Sequence, residues 1–226
     1  MATHFEIELD KLKGIIEKIG QLAEGQVSEA VKTLLQEPEA SEGKIIKKTE
    51  NKIDKLDVKI GEICQSIFAL QQPVASDLRF IMSAMQIGNE IERIGDLSMS
   101  IVKKAKNIKE KHDLIVKFHV AEISRLVELV TVKTNNCFIS RDSNTINEIF
   151  VLNKDIKNKC DDAIHHIINE MKVNSKVVVS GTNLVIVLKH LERISEHCTN
   201  IAEYIYFMIN AKIIKHDKFE DLRSEE

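Results

Sequence analysis

Apolar side chains recur along most of the chain at alternating steps of four and three, the spacing of one stripe on the face of an α-helix. Phe5, Leu9, Leu12, Ile16, Ile19, Ala23, Gln26, Ala30 and Thr33 form the first such seam. It should end before Glu37-Pro38, because the residue ahead of a proline is pushed out of the helical region. Gly14, Gly20 and Gly25 lower its helix propensity and point to close approach by a neighbouring helix. A second helix should start near Ser41, bury Thr49, Ile53, Leu56, Ile60, Ile63, Ile67 and Leu70, and stop at Gln71-Gln72-Pro73. The third begins after Pro73 with Ser76 or Asp77 as its cap. It runs through Ala105 into a basic stretch, Lys103 to Lys111, that suits a helix C-terminus.

A fourth helix should start near Asp113 and carry Val116, Val120, Ile123, Val127, Val130, Thr134 and Cys137. After a turn at Arg141 to Asn144, the fifth holds Ile146, Ile149, Asn153, Ile156, Cys160, Ala163 and Ile167. Asn174-Ser175 breaks the chain, and the sixth helix carries Val177 to Ala211. Val177 to Val179 and Val185 to Leu188 suit strands by propensity. A repeat overrides that preference: Glu92-Arg93-Ile94-Gly95-Asp96 recurs 100 positions on as Glu192-Arg193-Ile194-Ser195-Glu196. Around it, Ile87, Ile91, Ile94, Ser98, Ile101 and Ala105 become Val187, Leu191, Ile194, Cys198, Ile201 and Ile205. Two long helices thus share one apolar stripe and one acidic pair, the pair lying a turn apart on the opposite face. With short connections inside each half, the chain reads as all-α. Two tandem antiparallel three-helix bundles, residues 1–112 and 113–214, are related by an internal pseudo-twofold and followed by a polar tail, 215–226.

Composition narrows the function classes. Of 226 residues, 43 % are hydrophobic and 4 % aromatic, enough aliphatic matter for a helical core. A formal charge of −3 gives no basic face for nucleic acid. No run of about 18 apolar residues exists to span a membrane, and the first ten residues lack the apolar region of a signal peptide, so a cytoplasmic location is expected. Cys64, Cys137, Cys160 and Cys198 form no CxxC pair and read as small core residues in a reducing compartment.

The repeated acids are the candidate chemistry. Glu50, Asp54 and Asp57 run beside the second seam at i, i+4 and i+7. With Glu92 and Asp96 they can make a carboxylate site for a hard cation between adjacent helices. The competing reading is a solvated acidic face, neutralised by Arg93 and by Lys47, Lys48 and Lys52. Arg93 and Arg193 are candidates for contact with a partner or phosphate, against an intramolecular ion pair. Of the histidines, His165, His166, His190 and His197 read as surface or interface residues. No GxxxxGK[ST] loop is present, so nucleotide hydrolysis would belong to a partner. No nucleophile elbow or Cys–His arrangement is visible either. A carboxylate-bridged di-iron bundle enzyme would draw on Glu-x-x-His; the nearest approach is Asp162-Ala163-Ile164-His165.

Gln72-Pro73-Val74-Ala75-Ser76-Asp77-Leu78-Arg79, then Glu92 to Asp96, then Glu192-Arg193-Ile194 with His197 and Asn200-Ile201-Ala202-Glu203, closely resemble the PhoU family. The resemblance spans nearly the whole chain. It implies two three-helix bundles, a cytoplasmic homodimer and no enzymatic activity. The implied role is a negative regulator of the phosphate-starvation response, linking the ATPase of a phosphate ABC transporter to a sensor histidine kinase. An accessory protein of an inorganic-phosphate permease is the related alternative. Some members bind multinuclear iron or zinc on the acidic motifs, and magnesium or manganese would suit the same oxygens; no cofactor is required. Carried over by position, the first-half set is Glu50, Asp54, Asp57, Glu92 and Asp96. In the second half Glu192 matches, but Glu196 replaces the usual aspartate. Aligned on their acidic pattern, Lys154, Asn158 and Asp161 stand where Glu50, Asp54 and Asp57 did, and an ammonium there would oppose a cation.

Overall fold

The stripes become seven α-helices in a computed structural model that describes residues 3–36, 42–109 and 111–214, and no strand occurs among the described residues. They are α1 (His4–Leu35), α2 (Glu42–Gln71), α3 (Ala75–Ala105), α4 (Lys111–Lys117), α5 (Val120–Ser140), α6 (Ser143–Val173) and α7 (Val178–Asn210), with a 3-10 turn, Ser175–Val177, before the last. Thr3 and Glu6 open α1 with a capping box: each side chain accepts from the other's backbone N–H, at 3.2 and 2.7 Å. Asp142 opens α6 by accepting from the amides of Asn144 and Thr145. Asn174 accepts from Lys176 at the turn into α7.

Helix α1 ends at Leu35 with Gln36 extended. Glu37-Pro38, the expected start near Ser41 and the polar tail 215–226 lie outside the described residues. Three sequence expectations give way. The stretch expected as a fourth helix is two: Phe118-His119 breaks it, His119 sitting in the left-handed region at φ 54°, so α4 swings away and Val116 is left exposed. Helix α3 starts at Ala75 behind Val74, with no side-chain cap; Ser76 and Asp77 lie inside its first turn. Leu70, one residue from the end of α2, is exposed rather than in the core.

The α1 seam from Leu12 to Thr33 is buried throughout, polar Gln26 and Thr33 included. Helices α1 to α3 form one bundle and α5 to α7 the other, and the two share a continuous core. They join along α3 and α7, which run antiparallel: Ser83 Oγ donates to the Tyr204 carbonyl and Glu90 meets His197, descending one helix while ascending the other. A second seam joins α1 to α5, where Asn135 Nδ2 donates to the Gly20 carbonyl at 3.0 Å and to Glu24 at 2.9 Å. Lys111 ties α4 to α1. Its buried ammonium donates to the carbonyls of Thr33 (2.9 Å) and Gln36, at the end of α1 where the helix leaves carbonyls unpaired and the dipole is negative.

Gly20 explains itself in the α1–α5 contact: a Cβ there would lie 2.6 Å from Asn135 Oδ1, whereas Gly14 and Gly25 face open space. Gly14→Ala and Gly25→Ala should each stabilise the fold by up to about 1 kcal/mol, the helix-propensity difference. Gly20→Ala should destabilise it despite the same propensity gain, because Asn135 must give up its bonds to Gly20 and Glu24 to make room. Chemical denaturation of the three variants checks both signs.

Candidate functional site

The repeated motif occupies equivalent places. Ile91, Ile94, Gly95, Ser98 and Met99 are buried in α3, as are Leu191, Ile194, Ser195, Cys198 and Thr199 in α7, while Arg93 and Arg193 are both exposed. The helical period puts each arginine on the side away from the buried arc and the acid pair at the arc's edge, not opposite it as the spacing suggested; Glu192 is itself buried. Gly95 allows the close packing on its side: a Cβ would stand 3.1 Å from Gln26 Oε1 and 3.4 Å from Ile53 Cδ1.

In the first half, α2 and α3 enclose an open groove of about 360 Å³ lined by Asp57, Gly61, Met85, Asn89, Glu92 and Arg93, among others. Burial raises the Asp57 carboxyl above its ordinary value of 3.8, neighbouring Asp54 raises it further, and Arg93 opposes both. Glu92 is likewise raised, first by burial, then by Asp96, with Arg93 opposing and Asp57 and Asp54 adding to the rise. Glu50 does not figure among the charges that shift either group. Arg93 reaches Glu92 at 3.5 Å and Asp96 at 3.6 Å, so it is held in an intramolecular pair while 58 % of its side chain stays exposed. Gly88 makes room for the acid: a Cβ there would lie 2.8 Å from Asp57 Oδ1.

The second half is built differently. The contacts set α6 against α2 at 103 positions: Asp57 lies against Gly88 and acts on Glu92, as Cys160 lies against Leu188 and feels Glu192, and buried Ile46, Ile53, Ile60 and Cys64 then answer to Ile149, Ile156, Ala163 and Ile167. The counterparts of Glu50, Asp54 and Asp57 are therefore Asn153, Lys157 and Cys160, one place off the alignment that acidic spacing suggested. Asp161 stands where the first half has Val58. Glu192 is nearly enclosed, its side chain 8 % exposed. Lys189 donates to Glu192 at 2.6 Å and to Asp161 at 3.1 Å, and these carboxylates, Glu192 foremost, raise its proton affinity. Glu196 is partly buried.

The resemblance implies metal clusters on these donors. Among the described residues no three His, Cys, Asp or Glu side chains stand close enough to hold an ion. The first half fits a cation in kind, because Asp57 and Glu92 carry like charges that only Arg93 relieves. Its donors are all oxygens, which suits a hard cation rather than zinc. The second half does not fit a hard cation: its acids already hold an ammonium, and the position of Asp57 is taken by Cys160, a soft thiol that burial pushes up to about 12.

Sequence reasoning missed a polar knot at the junction of the halves. Glu90 Oε2 meets His197 Nδ1 at 2.6 Å and accepts from Asn200 Nδ2 at 2.9 Å. Burial pushes Glu90 up, but the bonds from His197 and Asn200, with the charges of His197 and Arg93, hold it below its ordinary value. Nearby on α7, His190 is driven toward its neutral form by burial, then by Arg193 and Lys104.

The opposite shifts give opposite pH effects. A carboxyl whose folded pKa is raised penalises the fold once ionised; the penalty is absent below the unfolded value and full above the folded one. Asp57→Asn and Glu92→Gln should therefore raise the melting temperature at pH 7, the gain vanishing as pH falls below about 4. Glu90→Gln should lower it at pH 7, the loss shrinking as pH falls through the depressed folded value of Glu90. Melting curves from pH 3 to 8 decide between them.

Comparison with known proteins agrees with this geometry. The profile of the PhoU domain family matches residues 16–105 and 120–205, one match in each half. A Rhizobium meliloti protein, a "Phosphate-specific transport system accessory protein PhoU homolog", is 32 % identical over 90 % of this chain and 86 % of its own. One of the same description from Clostridium acetobutylicum is 29 % identical over 92 % and 95 %. The crystal structure of PhoU from Pseudomonas aeruginosa superposes with a TM-score of 0.83 at 24 % identity, covering 92 % of this chain and all of its own. That of the phosphate transport system regulatory protein PhoU from Streptococcus pneumoniae gives 0.81, also at 24 % identity, over 94 % of this chain and all of its own.

Proposed function

The chain belongs to the PhoU family, and from that premise we propose that it is an accessory and regulatory protein of phosphate uptake that acts by binding. Its proposed role is to keep the phosphate-starvation response off when phosphate is plentiful. The partners proposed are the ATPase of a phosphate ABC transporter and the cytoplasmic domain of a sensor histidine kinase, met in the cytoplasm by a homodimer. The halves, divided near residue 112, would offer one related surface each. The observation that carries this reading is the doubled motif: two family matches, 100 residues apart in register, each presenting an exposed arginine beside a partly buried acid pair. An exposed arginine offers its guanidinium to a partner's acidic or phosphorylated group, and Arg93 keeps most of its side chain in water despite its neighbours Glu92 and Asp96. A hard cation taken up by the first half would sit on Asp57 and Glu92, with Asp54 and Asp96 beside them; the regulatory reading requires none. No described helix is long and apolar enough to cross a membrane.

Deleting the gene should leave starvation genes expressed at high phosphate, and the purified chain should capture the ATPase or the kinase domain. Arg93→Glu and Arg193→Glu should weaken that capture about tenfold, roughly 1.4 kcal/mol, with helicity unchanged by circular dichroism. Normal repression in the deletion strain, together with a purified chain that binds neither partner, defeats the proposal.

A further inference from the structure

We propose that Lys189 is a built-in counter-ion that closes the second half to metal, so that this chain keeps the cation-free version of the acidic motif in α7. Three exchanges at equivalent positions support it. Where the first half has Asn89, an uncharged side chain in the groove, the second has Lys189. Where Gly88 leaves room for the Asp57 carboxylate against α3, Leu188 is fully buried. Where Asp57 itself stands, Cys160 is fully buried, its Sγ 3.6 Å from the Leu188 carbonyl. The cradle and its acid have been replaced together by two packed apolar groups, so the exchange is a coordinated change of chemistry and not a single drifted residue.

What remains of the acidic set is bound to the lysine. Glu192 Oε2 and Asp161 Oδ1 converge on one nitrogen, at 2.6 and 3.1 Å. An external cation would have to displace a tethered ammonium from a nearly enclosed carboxylate, losing two charge-assisted hydrogen bonds. It would also leave Lys189 as an unpaired positive charge beside the ion. A lysine at this place gives what a metal would give, charge neutralisation of Glu192, without depending on metal supply.

Manganese(II) titration of the whole chain, followed by water-proton relaxation, tests this. Glu192→Gln in the otherwise unchanged protein should bind as much manganese as the parent. Lys189→Asn, which copies the first half and leaves two oxygens already aimed at one point, should take up one added equivalent. Lys189→Asn combined with Glu192→Gln should lose it again. Circular dichroism confirms the fold of each variant. Manganese lost on Glu192→Gln alone, or a folded Lys189→Asn variant that binds no more than the parent, overturns the proposal. If Lys189→Asn does not fold, the Glu192→Gln arm still decides, since Lys189 is then intact.

Discussion

The antiparallel contact between α3 and α7 is the constraint to which the other features of this fold answer. An ordinary surface helix buries one stripe, but these two bury adjacent positions in pairs: Ile87-Gly88, Ile94-Gly95, Ser98-Met99 and Ile101-Val102, matched by Val187-Leu188, Ile194-Ser195, Cys198-Thr199 and Ile201-Ala202. So wide an arc exists because each helix faces its own bundle and the other half at once. Each buried isoleucine contributes roughly 1.5–3 kcal/mol, and little of the circumference is left for charge. The motif's acids and arginine occupy that remainder. Their partial burial, and hence their shifted proton affinities, follows from the crowding of the helix that carries them.

A wide buried arc brings polar groups inside, and the sequence satisfies them locally. Ser98 Oγ donates to the Ile94 carbonyl, Thr131 to Val127, Thr134 to Val130 and Thr199 to Glu196, each within its own helix, so small polar residues serve as space-fillers at close helix contacts. The larger polar groups work across the joints instead. Lys111 satisfies carbonyls at the end of α1, Asn135 fastens α5 to Gly20 and Glu24, and Glu90 fastens α3 to His197 and Asn200. Substituting one of these unpairs a buried group, which costs more than losing the bond itself.

Most of the fold was legible because helical periodicity is a local signal. Every residue of the α1 seam from Leu12 to Thr33 is buried, though Gly20, Val27 and Val31 are buried beside it, and the 100-residue shift of the motif revealed the internal symmetry. Three kinds of feature were not legible. The break at Phe118-His119 leaves the four-three rhythm unbroken on either side, so period alone does not report it. The register of α6 against α2 was misread by one place, because at 104 Asp161 falls where Asp57 stands, and only the contacts of Asp57 with Gly88 and of Cys160 with Leu188 show the shift to be 103. Contacts such as Glu90 with His197 join residues 107 positions apart. No spacing rule reaches that far without the crossing geometry of the helices.

The two halves therefore solve one electrostatic problem in two ways. Acids gathered beside an apolar arc repel one another and resist burial, so a positive charge must come from somewhere. In the first half it comes from Arg93, mostly in water and meeting Glu92 and Asp96 only at 3.5 and 3.6 Å, where exposed pairs are weak. Burial first, and then the repulsion that Arg93 leaves unrelieved, raise the proton affinity of Asp57 and Glu92. In the second half Lys189 lies closer, at 2.6 Å, on a carboxylate that is nearly enclosed, and the acid that would have faced Glu192 has become Cys160. The first half keeps its acids weakly paired and its charge balance open to protons; the second pairs its most enclosed acid closely. Under the binding role proposed above, a duplicated fold with one pH-sensitive and one closely paired surface would hold one partner steadily while its hold on another varies with conditions.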